Sequence, residues 1–118
     1  MKKYLAVFTG NTAARERSGW DELSGADRKA REQKGMAAWG AWMEKNKAAI
    51  VEIGAPLGTT KRIGLNGVTD IKNNLAAFVV VQADSHEAAA KLFEGHPHFT
   101  IFPGEAVEIM ECLPVPGQ

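Results

Sequence analysis

Two histidines separated by a single proline, His96 and His98, are the side chains of this sequence best suited to moving a proton. A neutral imidazole accepts or donates a proton near neutral pH, and it is also a common metal ligand. In an extended segment the two rings would point the same way and could line a cleft. No third ligand is spaced nearby, so we predict no metal site. A purely structural linker around Pro97 is the alternative.

Large apolar side chains could form the wall of a binding cleft. Trp39 and Trp42 lie three residues apart, and Met43 follows them, as on one side of a helix. Such a stripe is more often core than ligand contact, but facing a cleft it would hold a flat organic molecule. We therefore predict Trp39, Trp42, Met43 and Phe99 as the ligand-contacting residues, with core packing as the alternative.

Asp70 is the third candidate for acid–base chemistry. It follows the turn signal Asn66-Gly67, and Lys61 and Arg62 precede that turn. A carboxylate opposite a base would suit proton transfer, whereas a hairpin tip with solvated charges is the usual case. No glycine-rich phosphate loop and no G-x-G-x-x-G after a strand are present. We predict no cofactor.

Basic residues are crowded between positions 15 and 34 of the sequence. Acidic residues are interleaved with them, which predicts a solvated helix face, with an anion-binding patch as the alternative. The basic residues are Arg15, Arg17, Arg28, Lys29, Arg31 and Lys34, and the acidic ones are Glu16, Asp21, Glu22, Asp27 and Glu32.

Length and charge limit the class of protein. The chain has 118 residues, which predicts one domain over 1–118, and 14 basic residues balance 14 acidic ones. Nucleic-acid binders usually have a basic excess, so we predict no nucleic-acid partner. A single cysteine, Cys112, excludes an intrachain disulfide and favours a reducing compartment. We see no membrane-length apolar segment and expect a cytoplasmic protein with no membrane partner.

Hydrophobic periodicity and turn signals predict the order β-α-β-β-α-β. The segment 10–23 should be a loop or a short helical turn, 61–65 should continue the second strand as an edge, and 68–74 and 96–99 should be a loop and a linker. The strands are expected at 3–9, 50–53, 75–83 and 106–112, and the helices at 24–49 and 86–94.

This element order is the ferredoxin-like, split βαβ pattern of an α+β protein. Its sheet is antiparallel and has both helices on one face, so the other face needs a cover. A second copy of the same sheet is the simplest cover and would give a two-fold homodimer, joined sheet to sheet.

The chain resembles the YCII-related, DGPF-type family in a succession of motifs between about positions 36 and 110. The resemblance implies a dimeric α/β barrel. It does not carry over the catalytic His–Asp dyad, because the segment after the first strand, residues 10–21, contains no histidine. The Asp-Gly-Pro-Phe signature is not matched either, because Ile71-Lys72 follow Asp70. The motifs are Trp39-Gly40-Ala41-Trp42-Met43, Gly54-Ala55-Pro56-Leu57, Asn66-Gly67-Val68-Thr69-Asp70, Ala76-Ala77-Phe78, Asp84-Ser85, Ala88-Ala89, His96-Pro97 and Val107-Glu108-Ile109.

Two functions fit these observations. The first is a small cofactor-independent enzyme that acts on an apolar or aromatic small molecule by acid–base chemistry. The second is a non-catalytic module on the same fold that binds a small molecule or another protein. Binding of haem or a metal ion is a weaker third reading.

Overall fold

The computed structural model describes residues 1–117 and contains a mixed set of helices and strands. A 3-10 turn at Trp20–Glu22 joins the first two helices. The strands are β1 (Lys2–Thr9), β2 (Ile50–Pro56), β3 (Thr60–Gly64), β4 (Gly67–Ile71), β5 (Leu75–Ala83) and β6 (Ala106–Glu111), and the helices are α1 (Thr12–Ser18), α2 (Gly25–Lys45), α3 (His86–Lys91) and α4 (Pro97–Thr100).

The main sheet has four antiparallel strands in the order β2-β5-β1-β6. This is the ferredoxin-like arrangement, with the β3–β4 hairpin inserted between β2 and β5. The expected α+β class and antiparallel sheet are confirmed.

One face of the sheet and the helices enclose the hydrophobic core. Tyr4, Ala6 and Phe8 alternate along β1 and are at most 2% exposed, as the two-residue period of a strand requires. They pack with Val81, Phe93 and the half-buried tryptophans of α2. The molecule measures only 19 Å along its shortest axis, which accommodates one sheet and one layer of helices.

The opposite face of the sheet is largely apolar, with Glu108 opposite Val7 and Glu52 opposite Val80 as its acidic residues. Leu5 lies opposite Val80 on one side and Met110 on the other, and Val7 lies opposite Phe78. Met110 remains 42% exposed. This apolar face, formed by Leu5, Val7, Phe78, Val80 and Met110, is the one for which we predicted a cover.

A hairpin arm extends from the sheet between β2 and β5, and it corrects two predictions. We expected 61–65 to continue β2, but β3 pairs with β4 in a separate two-stranded sheet. We expected a loop at 68–74, but Gly67–Ile71 is a strand. Gly67, at φ +101°, closes the turn so that Gly64 pairs with Gly67 and the β-branched residues after it continue the ladder.

The histidine segment corrects a third prediction. Residues 96–99 are not an extended linker: Pro97 begins the short helix α4, and His96 is its N-cap. Proline suits the first helical position because it has no N–H group to leave unpaired. The two rings therefore do not project from the same side of the chain, as they would in an extended strand.

The long helix α2 ends at Lys45, earlier than position 49, but it continues through Gly35 and Gly40, for which the sequence predicts close packing on the sheet. A Cβ atom on Gly35 would lie 2.5 Å from the ring of Phe102, so the helix packs closely there, but against the segment after α4 and not against the sheet. Nothing lies within 4 Å of the same point on Gly40, where the close-packing prediction was wrong. The spacing of Met36, Trp39 and Met43 predicts one buried face of the helix, but Met36 is 69% exposed and lies outside that face.

Candidate functional site

The segment that follows α3 places both histidines against the aromatic side chains of α2. Pro97 and His98 are buried, and α4 packs against α2. Nδ1 of His96 accepts a hydrogen bond of 3.0 Å from the backbone N–H of His98, which caps the short helix. This bond fixes the His96 ring relative to the backbone of α4.

His96 lies in a cage of aromatic rings and does not line an open cleft. It is 0% exposed, and its ring centroid lies 4.5 Å from Trp39, 4.8 Å from Trp42 and 5.0 Å from Phe8. Because Nδ1 is an acceptor, the neutral ring has its proton on Nε2, and Nε2 has no hydrogen-bond partner among the described residues. Burial, with a smaller effect of the nearby His98, lowers the pKa of His96 to about 4.

His98 is oriented by the end of the first strand. Its Nε2 lies 2.7 Å from the carbonyl oxygen of Thr9. A carbonyl oxygen only accepts, so Nε2 is the protonated nitrogen and Nδ1 has a free lone pair in the neutral ring. Nδ1 makes no hydrogen bond within residues 1–117. Unlike Nε2 of His96, it is not completely buried. Burial lowers the pKa of His98, and the bond to Thr9 partly opposes that shift.

The Thr9 carbonyl that holds His98 is itself held in place. It also accepts a 2.9 Å bond from the backbone N–H of Glu105, and the Thr9 hydroxyl donates to the Glu105 carboxylate at 2.9 Å. Asn11 donates to the other oxygen of that carboxylate. These bonds connect β1 to the start of β6 and set the position of the imidazole ring.

Gly104 closes the other side of the His98 ring. A Cβ atom at this position would lie 2.3 Å from Nε2 and 2.4 Å from the His98 carbonyl oxygen. Since this is well inside van der Waals contact, only glycine fits here without displacing the ring.

His98 borders a cavity of about 420 Å³ between α2 and the edge of the sheet, which we call the His98 cleft. Phe8, Trp39, Met43, Ile53 and Phe78 are among its lining residues, and His98 is the one ionisable side chain among them. The volume is within the range of small-molecule sites.

A bulge in β2 shapes the rim of the His98 cleft. Gly54 has φ +67°, and a Cβ atom there would lie 1.8 Å from the carbonyl oxygen of Phe78. The pairing of β2 with β5 shifts register on both sides of Glu52, so the strand bends at this point.

The structure brings three of the candidate residues together and separates the others. His98, Trp39 and Met43 line the His98 cleft. Trp42 lies behind it, where Nε1 donates a 2.7 Å bond to the Leu92 carbonyl. His96 is enclosed, as described above.

Phe99 and Asp70 lie elsewhere. Phe99 borders two other cavities, one between α1 and α2 and one beside β6. Asp70 is on the hairpin arm, where its exposed carboxylate accepts a 2.7 Å bond from the ammonium group of Lys61.

Sequence reasoning missed the backbone features that position His98: the Thr9 carbonyl, Gly104 and the bulge at Gly54. Only Gly54 had a signal, because Gly54-Ala55-Pro56 interrupts an apolar strand, but the pattern also fits a strand end. The chain between 98 and 104 folds back on the ring, and no local periodicity predicts that approach.

Residues 1–117 contain neither a metal-binding cluster nor a membrane-spanning helix. No cluster of three or more side chains is arranged to hold a metal ion. No helix is both long and apolar enough to cross a membrane.

The fold has a solved relative. No family model and no curated protein match this sequence. The structure is similar to 5-chloro-2-hydroxyhydroquinone dehydrochlorinase (TftG) from Burkholderia phenoliruptrix AC1100, solved in complex with 2,5-dihydroxybenzoquinone. The TM-score is 0.50 at 19% identity, and the match covers 91% of this chain and 89% of the relative. The likeness supports a shared ferredoxin-like fold, and that relative is an enzyme.

Proposed function

We propose that this protein is a small cofactor-independent enzyme that acts on an apolar or aromatic small molecule by acid–base chemistry in the His98 cleft. His98 is the catalytic residue, and it accepts a proton from the substrate through Nδ1. Trp39 and Met43 form the wall against which the substrate lies.

The hydrogen bond from Nε2 of His98 to the Thr9 carbonyl carries this proposal, because it leaves the basic nitrogen unpaired beside the His98 cleft. The lowered pKa keeps the imidazole neutral at pH 7, which is the form a general base needs. Once protonated, the ring is disfavoured by its buried site, so it returns the proton readily.

The cleft suits a compact ring rather than an extended chain. About 420 Å³ holds a one- or two-ring molecule, and apolar side chains on both sides favour a flat face. The relative was solved with a planar quinone, 2,5-dihydroxybenzoquinone. We propose hydroxylated aromatic rings and hydroxyquinones as the substrate class of this chain, since their hydroxyl groups carry the protons that a histidine base can remove.

A second copy completes the molecule in this proposal. The Cα radius of gyration is 16.3 Å, whereas a compact domain of this length would have about 13.5 Å. The apolar sheet face and the arm, with Ile63 at 79% and Leu65 at 107% exposure, present surfaces that a sheet-to-sheet homodimer would bury. We propose a single domain over 1–118, a dimeric α/β barrel of the YCII-related type, and a cytoplasmic location.

His98→Gln tests the catalytic role. Glutamine can still donate to the Thr9 carbonyl but is not a base, so turnover should fall at least about 100-fold while ligand binding changes little. The probes are chloride release from 5-chloro-2-hydroxyhydroquinone, turnover of other hydroxylated rings, and calorimetric binding of 2,5-dihydroxybenzoquinone. Asp70→Asn is the control, and its turnover should equal that of the wild type. Undiminished turnover in a folded His98→Gln protein would refute the proposal.

A non-catalytic binding module is the second candidate. It is favoured by the absence of any carboxylate from the lining of the His98 cleft, so that no second group can relay a proton. In that case the wild-type protein binds a ring compound tightly, Trp39→Ala weakens the binding, and no probe is turned over.

A further inference from the structure

A second cavity lies between α1, α2 and residues 99–104, and Gly104, which packs against the His98 ring, is among its lining residues. Its volume is about 550 Å³, and it shares no lining residue with the His98 cleft. Three of its lining side chains, Arg17, Arg31 and Lys34, are basic, and no lining residue is acidic. We call it the basic cavity.

The charges of the basic cavity are not balanced within the chain. The ion pairs formed among residues 1–117 are Lys2 with Glu111, Arg15 with Asp21 and Lys61 with Asp70. Arg17, Arg31 and Lys34 are in none of them. The acidic residues interleaved with them in the sequence therefore do not neutralise the cavity.

One of the three cations is already positioned. Nη1 of Arg31 donates a 3.2 Å bond to the Ser18 carbonyl at the end of α1. This bond uses one of the five N–H donors of the guanidinium group and leaves the others for a ligand. A pre-oriented guanidinium loses less entropy on binding and matches the oxygens of carboxylate or phosphate.

The other wall of the basic cavity is apolar. Phe99, Ile101 and Phe102 line it. The ring of Phe102 lies over Gly35. Its centroid lies 5.9 Å from the ring centroid of Trp20 and 6.1 Å from that of Trp39, so these neighbours hold it in one position. A ligand that suits both walls has an anionic end and an apolar body.

We propose that the basic cavity is a binding site for a small organic anion, a carboxylate or a phosphate monoester attached to an apolar group. Arg17, Arg31 and Lys34 bind the oxyanion, and the ring of Phe102 contacts the apolar part. The site is separate from the His98 cleft and does not depend on the chemistry proposed there.

Calorimetric titration with benzoate, phenyl phosphate and inorganic phosphate at pH 7 and low ionic strength tests the site. We expect saturable binding with one ligand per chain. Phenyl phosphate should bind more tightly than inorganic phosphate because only phenyl phosphate has an apolar group. Comparison of benzoate with phenyl phosphate identifies the preferred oxyanion.

Arg17→Gln and Lys34→Gln should each weaken binding at least about fivefold, since each removes a charge contact to the oxyanion. Both side chains are exposed, so the fold should tolerate the change. Lys29→Gln is the matched control: it removes the same charge from an exposed position of α2 outside the cavity, and binding should stay within twofold. The proposal would be overturned if all three variants lost affinity equally. It would also be overturned if no probe bound saturably at concentrations up to about 10 mM.

Discussion

The His98 cleft and the hairpin arm each present a residue of a type suited to proton transfer, in opposite surroundings. In the cleft, His98 is 8% exposed, its ring is fixed by the Thr9 carbonyl, and burial lowers its pKa. On the arm, the Asp70 side chain is 82% exposed and is paired with Lys61 in open solvent.

The comparison shows that burial and a fixed backbone partner distinguish a candidate catalytic group from a surface charge. Water screens the carboxylate of Asp70, and its partner is free to move away. His98 is held by the backbone, so its orientation and its tautomer are defined. Three predictions probe this difference, in order of decreasing expected effect on stability.

Gly54→Ala and Gly67→Ala compare how much stability a substitution costs at the rim of the His98 cleft and in the turn of the hairpin arm. Both glycines have positive φ, at +67° and +101°, which costs about 1–2 kcal/mol for alanine. At Gly54 the new Cβ would also lie 1.8 Å from a backbone oxygen, so we expect a total loss of about 4 kcal/mol. At Gly67 there is open space and only the strain applies. Urea unfolding measures both, and equal losses would contradict the comparison.

His96 should make stability depend on pH. In the unfolded chain its pKa is near 6.5, whereas burial lowers the pKa of the folded form to about 4. Between these values the unfolded chain binds the extra proton, so stability is full above pH 6.5 and falls toward pH 4. From pH 7 to pH 5 the free energy of unfolding should drop by about 2 kcal/mol from this residue.

His96→Asn isolates that effect, because asparagine can still cap α4 but does not titrate. The variant should be less stable at pH 7 but should lose less stability on acidification, with the lowered pKa of His98 providing the remaining slope. His86→Gln, which replaces an exposed histidine outside the cage, serves as the control. If the free energy of unfolding of His96→Asn depended on pH as strongly as that of the wild type, the cage would not hold a neutral ring.

Removal of the ion pair on the arm should have the smallest effect. Asp70→Asn breaks the bond to Lys61, but both side chains are more than 70% exposed. We expect the free energy of unfolding to change by less than about 0.5 kcal/mol. A loss above 1 kcal/mol by urea unfolding would mean that the Asp70–Lys61 pair itself is buried, and not only the apolar side chains of the arm.

Much of the fold follows from periodicity in the sequence. The expected strand 75–83 coincides with β5, and the strands at 3–9 and 106–112 each differ from β1 and β6 by one residue. Val107 and Ile109, which alternate with Glu108 in β6, both pack against the core. Continuous or alternating apolar runs of this kind are the strongest local signals.

The site was less predictable because it depends on contacts between distant parts of the chain. The pattern His-Pro-His indicated proton chemistry, but whether each ring is enclosed or borders a cavity is decided by Thr9, Gly104 and α2. Likewise, the strand propensity of Val68 and Thr69 was outweighed by neighbouring polar residues, and β4 was missed.

Nitrogen-15 NMR of the histidine side chains across a pH titration tests the central claim most directly. We predict that His98 has its proton on Nε2, with Nδ1 unprotonated at pH 7, and that its pKa lies below 6.5. A His98 ring protonated on Nδ1, or one that titrates at or above 6.5, would contradict the assignment of Nδ1 as the base of the cleft.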